Sequence, residues 1–129
     1  MNNLSHTTKI AVLKVLNDIV YADNVIHKNE VQYLNQVAED FGMSDGYKDE
    51  FDTVNALQVL SEIRELPANQ KADIASLMGK MITVDGDINY NEVRIYNEVC
   101  KACDIDKDFH LEDYPNYTLS GPFVNPEDL

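Results

Sequence analysis

The sequence contains one of its own segments twice. Placing residues 23–38 (DNVIHKNEVQYLNQVA) over residues 85–100 (DGDINYNEVRIYNEVC) gives seven identities in sixteen ungapped positions at an offset of 62 residues, where chance supplies about one. The matches are Asp23/Asp85, Ile26/Ile88, Asn29/Asn91, Glu30/Glu92, Val31/Val93, Asn35/Asn97 and Val37/Val99. They concentrate on a turn and the start of the segment after it. Whatever unit the first copy folds into, the second must fold into as well.

The flanks say what that unit is. Residues 9–22 carry Ile10, Leu13, Val15, Leu16, Ile19 and Val20 at helical spacing, and residues 71–84 do so with Ile74, Leu77, Met78, Met81 and Ile82. After each turn a second apolar stripe follows: Val31, Leu34, Val37, Ala38 and Phe41, then Val93, Tyr96, Val99, Cys100 and Cys103. Gly42 suits the end of the first of these helices. Between the copies Ser44-Asp45-Gly46 forms a turn. Residues 51–66 make a linking helix through Val54, Leu57, Val59, Leu60 and Ile63, and Pro67 opens the next helix.

The expected fold is all-α, a compact helical bundle built from a duplicated helix, acidic turn, helix unit. The domain spans about 1–112, with repeat 1 at about 8–42, the linking helix at 51–66 and repeat 2 at about 67–104. Residues 113–129 contain Pro115, Gly121, Pro122 and Pro126, which forbid a continuous helix. Tyr114, Tyr117, Leu119, Phe123 and Val124 in the same stretch predict a non-helical tail lying in part against the bundle.

Charge narrows the partners. With 23 acidic and 10 basic side chains the net charge is −13, which repels phosphate backbones and anionic lipid and attracts cations. Nucleic acid is therefore not an expected partner, and with no run near the ~20 apolar residues that span a bilayer, neither is membrane insertion. The N-terminus has no basic region followed by an apolar run, which predicts a cytoplasmic protein. Cys100 and Cys103, three residues apart on an apolar stripe, read as core rather than as a disulfide framework or a redox pair, the more so near a helix C-terminus.

The remaining chemistry lies in the two turns. Residues 85–92 (DGDINYNE) have the spacing of the second half of an EF-hand loop, yet the earlier ligand positions hold Met81 and Thr83, or Ile19 and Tyr21 in the first copy. These are not EF-hands. The segments Ala22-Asp23-Asn24-Val25-Ile26 through Glu30 and Val84-Asp85-Gly86-Asp87-Ile88 through Glu92 are similar instead to the repeated Ala/Val-Asp-Gly-x-Ile-x-x-x-Glu motif of the tellurite-resistance TerB-like family. The resemblance covers about residues 8–106 and departs from the motif at Asn24 and His27. It implies a duplicated helical bundle, a role in stress-response systems or beside chaperone modules, and a metal-binding surface at Asp23, Glu30, Asp85 and Glu92.

Two readings of these residues stand side by side. In one, Asn89 and Glu92 form a capping box, with Ile88 and Val93 as its hydrophobic staple, repeated in the first copy by Ile26, Glu30 and Val31. Every repeated residue except the aspartate then has a structural role, and the acidic face serves as a docking surface for a basic protein partner. In the other, the two sets of carboxylates, Asp23, Glu30, Asp85 and Glu92 with Asp87 beside them, meet and demand a counter-ion, calcium or magnesium by ligand type. His6, His27 and His110 read as isolated surface residues. No nucleophile, base and orienting group occur together, so an enzyme is not expected. The sequence leaves the oligomeric state open.

Overall fold

The computed structural model describes residues 4–121. Five α-helices carry it: α1 (His6–Val20), α2 (Lys28–Asp40), α3 (Ala56–Arg64), α4 (Ala68–Thr83) and α5 (Tyr90–Cys103). Short 3-10 helices occupy Tyr47–Thr53 and Leu111–Asp113, and two three-residue strands, β1 (Asp87–Asn89) and β2 (Thr118–Ser120), complete the order. The fold is all-α, as the periodicity requires.

Helix α1 is the axis of the bundle and touches each of the other four helices. Ile10, Ala11, Val12, Leu13, Leu16, Ile19 and Val20 on it are all buried, so nearly the whole circumference is apolar rather than one stripe. Ser5 starts it, its hydroxyl accepting from the Thr8 N–H at 3.1 Å. Around α1 lie Leu34, Val37 and Ala38 from α2, Ile74, Met78, Met81 and Ile82 from α4, and Val93, Tyr96, Cys100 and Cys103 from α5.

The segment expected as one linking helix over 51–66 is divided. Phe51 ends up in the 3-10 helix Tyr47–Thr53, and α3 begins only at Ala56, where Asn55 Oδ1 accepts from the Gln58 N–H at 2.8 Å. Lys14 of α1 explains the break: its Nζ donates to the carbonyls of Phe51 (3.0 Å) and Val54 (2.6 Å), which an uninterrupted helix would have used internally.

The duplication extends past the matching residues. Gly42 (φ 74°) ends α2 and Asp104 (φ 56°) ends α5, 62 positions on, both left-handed. The Met43 N–H bonds the Ala38 carbonyl at 2.9 Å and the Ile105 N–H bonds the Cys100 carbonyl at 2.9 Å, the same helix-closing bond in each copy. Sequence identity had already lapsed here.

Cys100 and Cys103 are free thiols inside the core; burial pushes the Cys100 thiol up to about 11, and Cys103 Sγ reaches the Leu60 carbonyl at 3.5 Å. After α5 the Tyr96 hydroxyl accepts from the N–H groups of Asp108 (2.8 Å) and Phe109 (3.1 Å) and donates to the Asp108 carboxylate (2.9 Å). From there Phe109 stacks on Tyr114, ring centroids 5.5 Å apart, and Tyr114 meets Tyr117 edge to face at 5.0 Å. That ladder leads the chain to β2, which pairs in parallel with β1, Ile88 opposite Leu119. Phe123 and Val124 lie outside the described residues.

Candidate functional site

Each acidic turn is bent by one residue with positive φ, Asn24 (61°) in the first and Gly86 (78°) in the second. Glycine and asparagine tolerate that conformation best. The preceding aspartate then closes the bend with its own side chain: Asp23 Oδ1 accepts from the Val25 N–H at 3.0 Å, and Asp85 Oδ1 from the Asp87 N–H at 3.3 Å. The aspartates thus have a structural role that the sequence reading had not assigned them. It engages only one oxygen of each.

The second oxygens converge on His27. Its Nε2 lies 3.2 Å from Asp23 Oδ2 and its Nδ1 3.5 Å from Asp85 Oδ2. His27 is therefore no isolated surface residue: its side chain is 31 % exposed and bridges the two turns. His6 pairs at the surface with Glu50, and His110 is exposed, as expected of both.

Glu30 and Glu92 sit in the first turns of α2 and α5, where helix dipoles favour negative charge. Both are buried, at 0 % and 2 % exposure. Neither oxygen of Glu30 receives a hydrogen bond from an N–H or hydroxyl, nor does Oε2 of Glu92. The two carboxyl groups instead face each other closely enough to share a proton. Glu30 is not the reaching-back member of a capping box, and His27, the residue at the α2 cap, makes no side-chain cap bond. In α5 Asn89 Oδ1 caps the Asn91 N–H at 2.8 Å. The staple also splits: Ile88 and Val93 are buried, but Ile26 is 61 % exposed.

Electrostatics follow from this packing. Burial raises the pKa of both glutamates, and the charges of Asp85 and Asp23 add to it; for Glu92 so do the hydrogen bond and charge of Glu30. For His27 burial works against the imidazolium, but the hydrogen bond it donates to Asp23 and the charges of Glu30, Asp85 and Asp23 outweigh it and the pKa rises. Among the described residues no lysine or arginine forms an ion pair with any of these carboxylates.

The four carboxylates expected at the site, Asp23, Glu30, Asp85 and Glu92, thus come together. Asp87 does not join them. Its Oδ1 accepts from Thr118 Oγ1 at 2.8 Å and its Oδ2 from Ser120 Oγ at 2.6 Å, so it holds the tail strand. His27, Glu30 and Asp85 each offer one ligand atom, all within 4.8 Å of one another, a separation a single cation can bridge. The departure of His27 from the repeated motif was the available signal for the fifth member of the cluster.

Comparison with known proteins agrees with this architecture. The family model described as Tellurite resistance protein TerB matches residues 1–52, which hold the whole first repeat. No curated protein matches the sequence. A crystal structure of a protein of unknown function from Porphyromonas gingivalis superposes with a TM-score of 0.72 at 23% identity, covering 84% of this chain and 86% of that one. At that identity the likeness concerns the fold. No helix among the described residues is long and apolar enough to cross a membrane. With its duplicated acidic turns and the match over residues 1–52, the chain is similar to TerB over its first repeat.

Proposed function

We propose that this is a non-enzymatic domain that binds one divalent cation between its two acidic turns, through carboxylates contributed by both repeats. The observation that carries the reading is Glu30: fully buried, both oxygens without a donor, beside the buried Glu92 and with Asp85 within ligand distance. Burying a carboxylate without a partner costs several kcal/mol. A shared proton relieves part of that cost. A dication relieves all of it, and the capping explanation does not reach Glu30 at all.

Because α2 and α5 each supply a first-turn glutamate and each preceding bend an aspartate, the ion would tie the two repeats together. Occupancy would then set the angle between α2 and α5, the movement through which such a site signals to a partner.

Isothermal titration of divalent cations into chelator-stripped protein tests the reading, with Glu30→Gln/Glu92→Gln as the control. The expected result is saturable binding of one ion per chain, lost in the variant. Stoichiometric binding unchanged in the variant, or no binding of any dication, would overturn it and leave the acidic face to a basic protein partner.

A further inference from the structure

The geometry points to His27 as a nitrogen ligand of this cation, held in place by Asp23, which makes the site one for a first-row transition dication of the zinc and cobalt kind rather than for calcium or magnesium. The inference rests on the cation reading above and refines which ion it concerns.

The argument begins with the two faces of the imidazole. Nε2 makes a hydrogen bond to Asp23 Oδ2 at 3.2 Å, and an ionised carboxylate only accepts, so the proton on that bond sits on Nε2. Nδ1 lies 3.5 Å from Asp85 Oδ2, longer than an ordinary N–H···O bond, and makes no hydrogen bond among the described residues. In the neutral ring Nδ1 therefore carries a lone pair beside Asp85 Oδ2, and His27, Asp85 and Glu30 each have a ligand atom within 4.8 Å of the others. Lone pair against carboxylate is repulsive, and a cation between them turns all three into donors.

Asp23 then stands where an outer-sphere carboxylate stands in metal sites: it fixes the tautomer and orientation of a ligating histidine through the nitrogen that does not touch the metal. It is itself fixed, since its other oxygen is bonded to the Val25 N–H. Asp23 is thus a positioning residue, and Glu30, Asp85 and His27 are ligands, with Glu92 beside Glu30. One imidazole with carboxylates suits zinc, cobalt, nickel or iron; calcium wants six to eight oxygens and magnesium prefers water and carboxylate. Glu30, fully buried and with no N–H or hydroxyl donor to either oxygen, marks the same point independently of His27.

The test uses the chelator-stripped full chain. Zn²⁺ affinity is read by competition with a chromophoric chelator, Ca²⁺ and Mg²⁺ by calorimetry, and Co²⁺ by its visible absorption. The expected results are Zn²⁺ binding at least about a hundredfold tighter than Ca²⁺ or Mg²⁺, and ligand-field bands on adding Co²⁺. In His27→Ala the Co²⁺ spectrum changes and Zn²⁺ affinity falls by more than tenfold. In Asp23→Asn affinity falls roughly 10- to 100-fold, as for other outer-sphere partners of metal-bound histidines. Ca²⁺ or Mg²⁺ binding as tightly as Zn²⁺, or a Zn²⁺ affinity and Co²⁺ spectrum indifferent to His27→Ala, overturns the assignment of His27 while the cation site itself stands. A thiolate charge-transfer band in the Co²⁺ complex places the ion on Cys100 and Cys103 and also overturns it. Binding of no ion at all sinks the parent reading instead.

Discussion

The two acidic turns descend from one sequence and have been put to different uses. The second, 85–89, is covered: Ile88 is buried, β1 is paired to β2, and Asp87 and Asn89 hold the hydroxyls of Thr118 and Ser120. The first, 23–27, is bare: Val25 and Ile26 are 52 % and 61 % exposed, and the residue equivalent to Asn89 is His27, which faces the carboxylates rather than capping its helix. One copy therefore anchors its turn to the rest of the fold, and the other sets an imidazole against the carboxylates. Duplication gives the carboxylates their convergence, and divergence brings the histidine to them.

The largest expected effect breaks the comparison at its apolar residue. Ile88→Ala should cost about 2–4 kcal/mol by urea denaturation, as a fully buried truncation does, whereas Ile26→Ala should stay within about 0.5 kcal/mol. Equal costs would mean that the first turn is covered in solution.

Next in size is a pH dependence of the metal-free protein. Glu30 and Glu92 have folded pKa values raised above the ordinary 4.5, mainly by burial, so the native state binds more protons than the unfolded chain above that pH. Their contribution is present at low pH and is lost as pH rises. His27, also raised, loses its contribution in the same direction as pH climbs through its folded value. In the presence of chelator, thermal stability should fall from pH 5 toward pH 8, by up to about 1.4 kcal/mol per pH unit for each proton concerned, and Glu30→Gln/Glu92→Gln should flatten the profile. A profile of the same slope in the variant would mean that the pair is not the source.

A smaller contrast separates the two bends. Gly86 has open space around its Cα, so Gly86→Ala is a purely conformational insult and should cost about 1–2 kcal/mol for its left-handed φ. Asn24→Gly, at the equivalent bend, should change stability by only a few tenths, because asparagine already tolerates αL. A large gain from Asn24→Gly would show that the first bend stores strain the second does not.

Much of this was legible in the sequence and the limit has a physical cause. The helices were readable because Leu13, Leu16, Ile74 and Met78 repeat at 3.6-residue spacing, whereas the meeting of Asp23, Glu30, Asp85 and Glu92 was one of two readings, since it holds only if the duplicated units pack with their turns together. The break before α3 was not readable, since it depends on Lys14, forty positions from Val54, donating to its carbonyl. The β1–β2 pairing was hidden for the same reason: Asp87 resembled a ligand beside its acidic neighbours, and only the fold brings Thr118 and Ser120 to it. His27 was discounted because isolation along the chain is not isolation in space.

The smallest expected effect concerns that strap. Asp87 receives two hydroxyl hydrogen bonds, but Thr118 is exposed and Ser120 only half-buried, so water competes for both. Asp87→Ala should therefore lower global stability by no more than about 0.5–1 kcal/mol. Its local effect is larger in kind: the amides of 118–120 should exchange with solvent markedly faster while those of α1 keep their protection. If the strap also holds the second turn in the shape that presents Asp85, cation affinity should fall in Asp87→Ala although Asp87 touches no ion. Affinity unchanged with the strand released would separate the two functions of the second turn, leaving the strap to cover Ile88 and the aspartate bend alone to position the site.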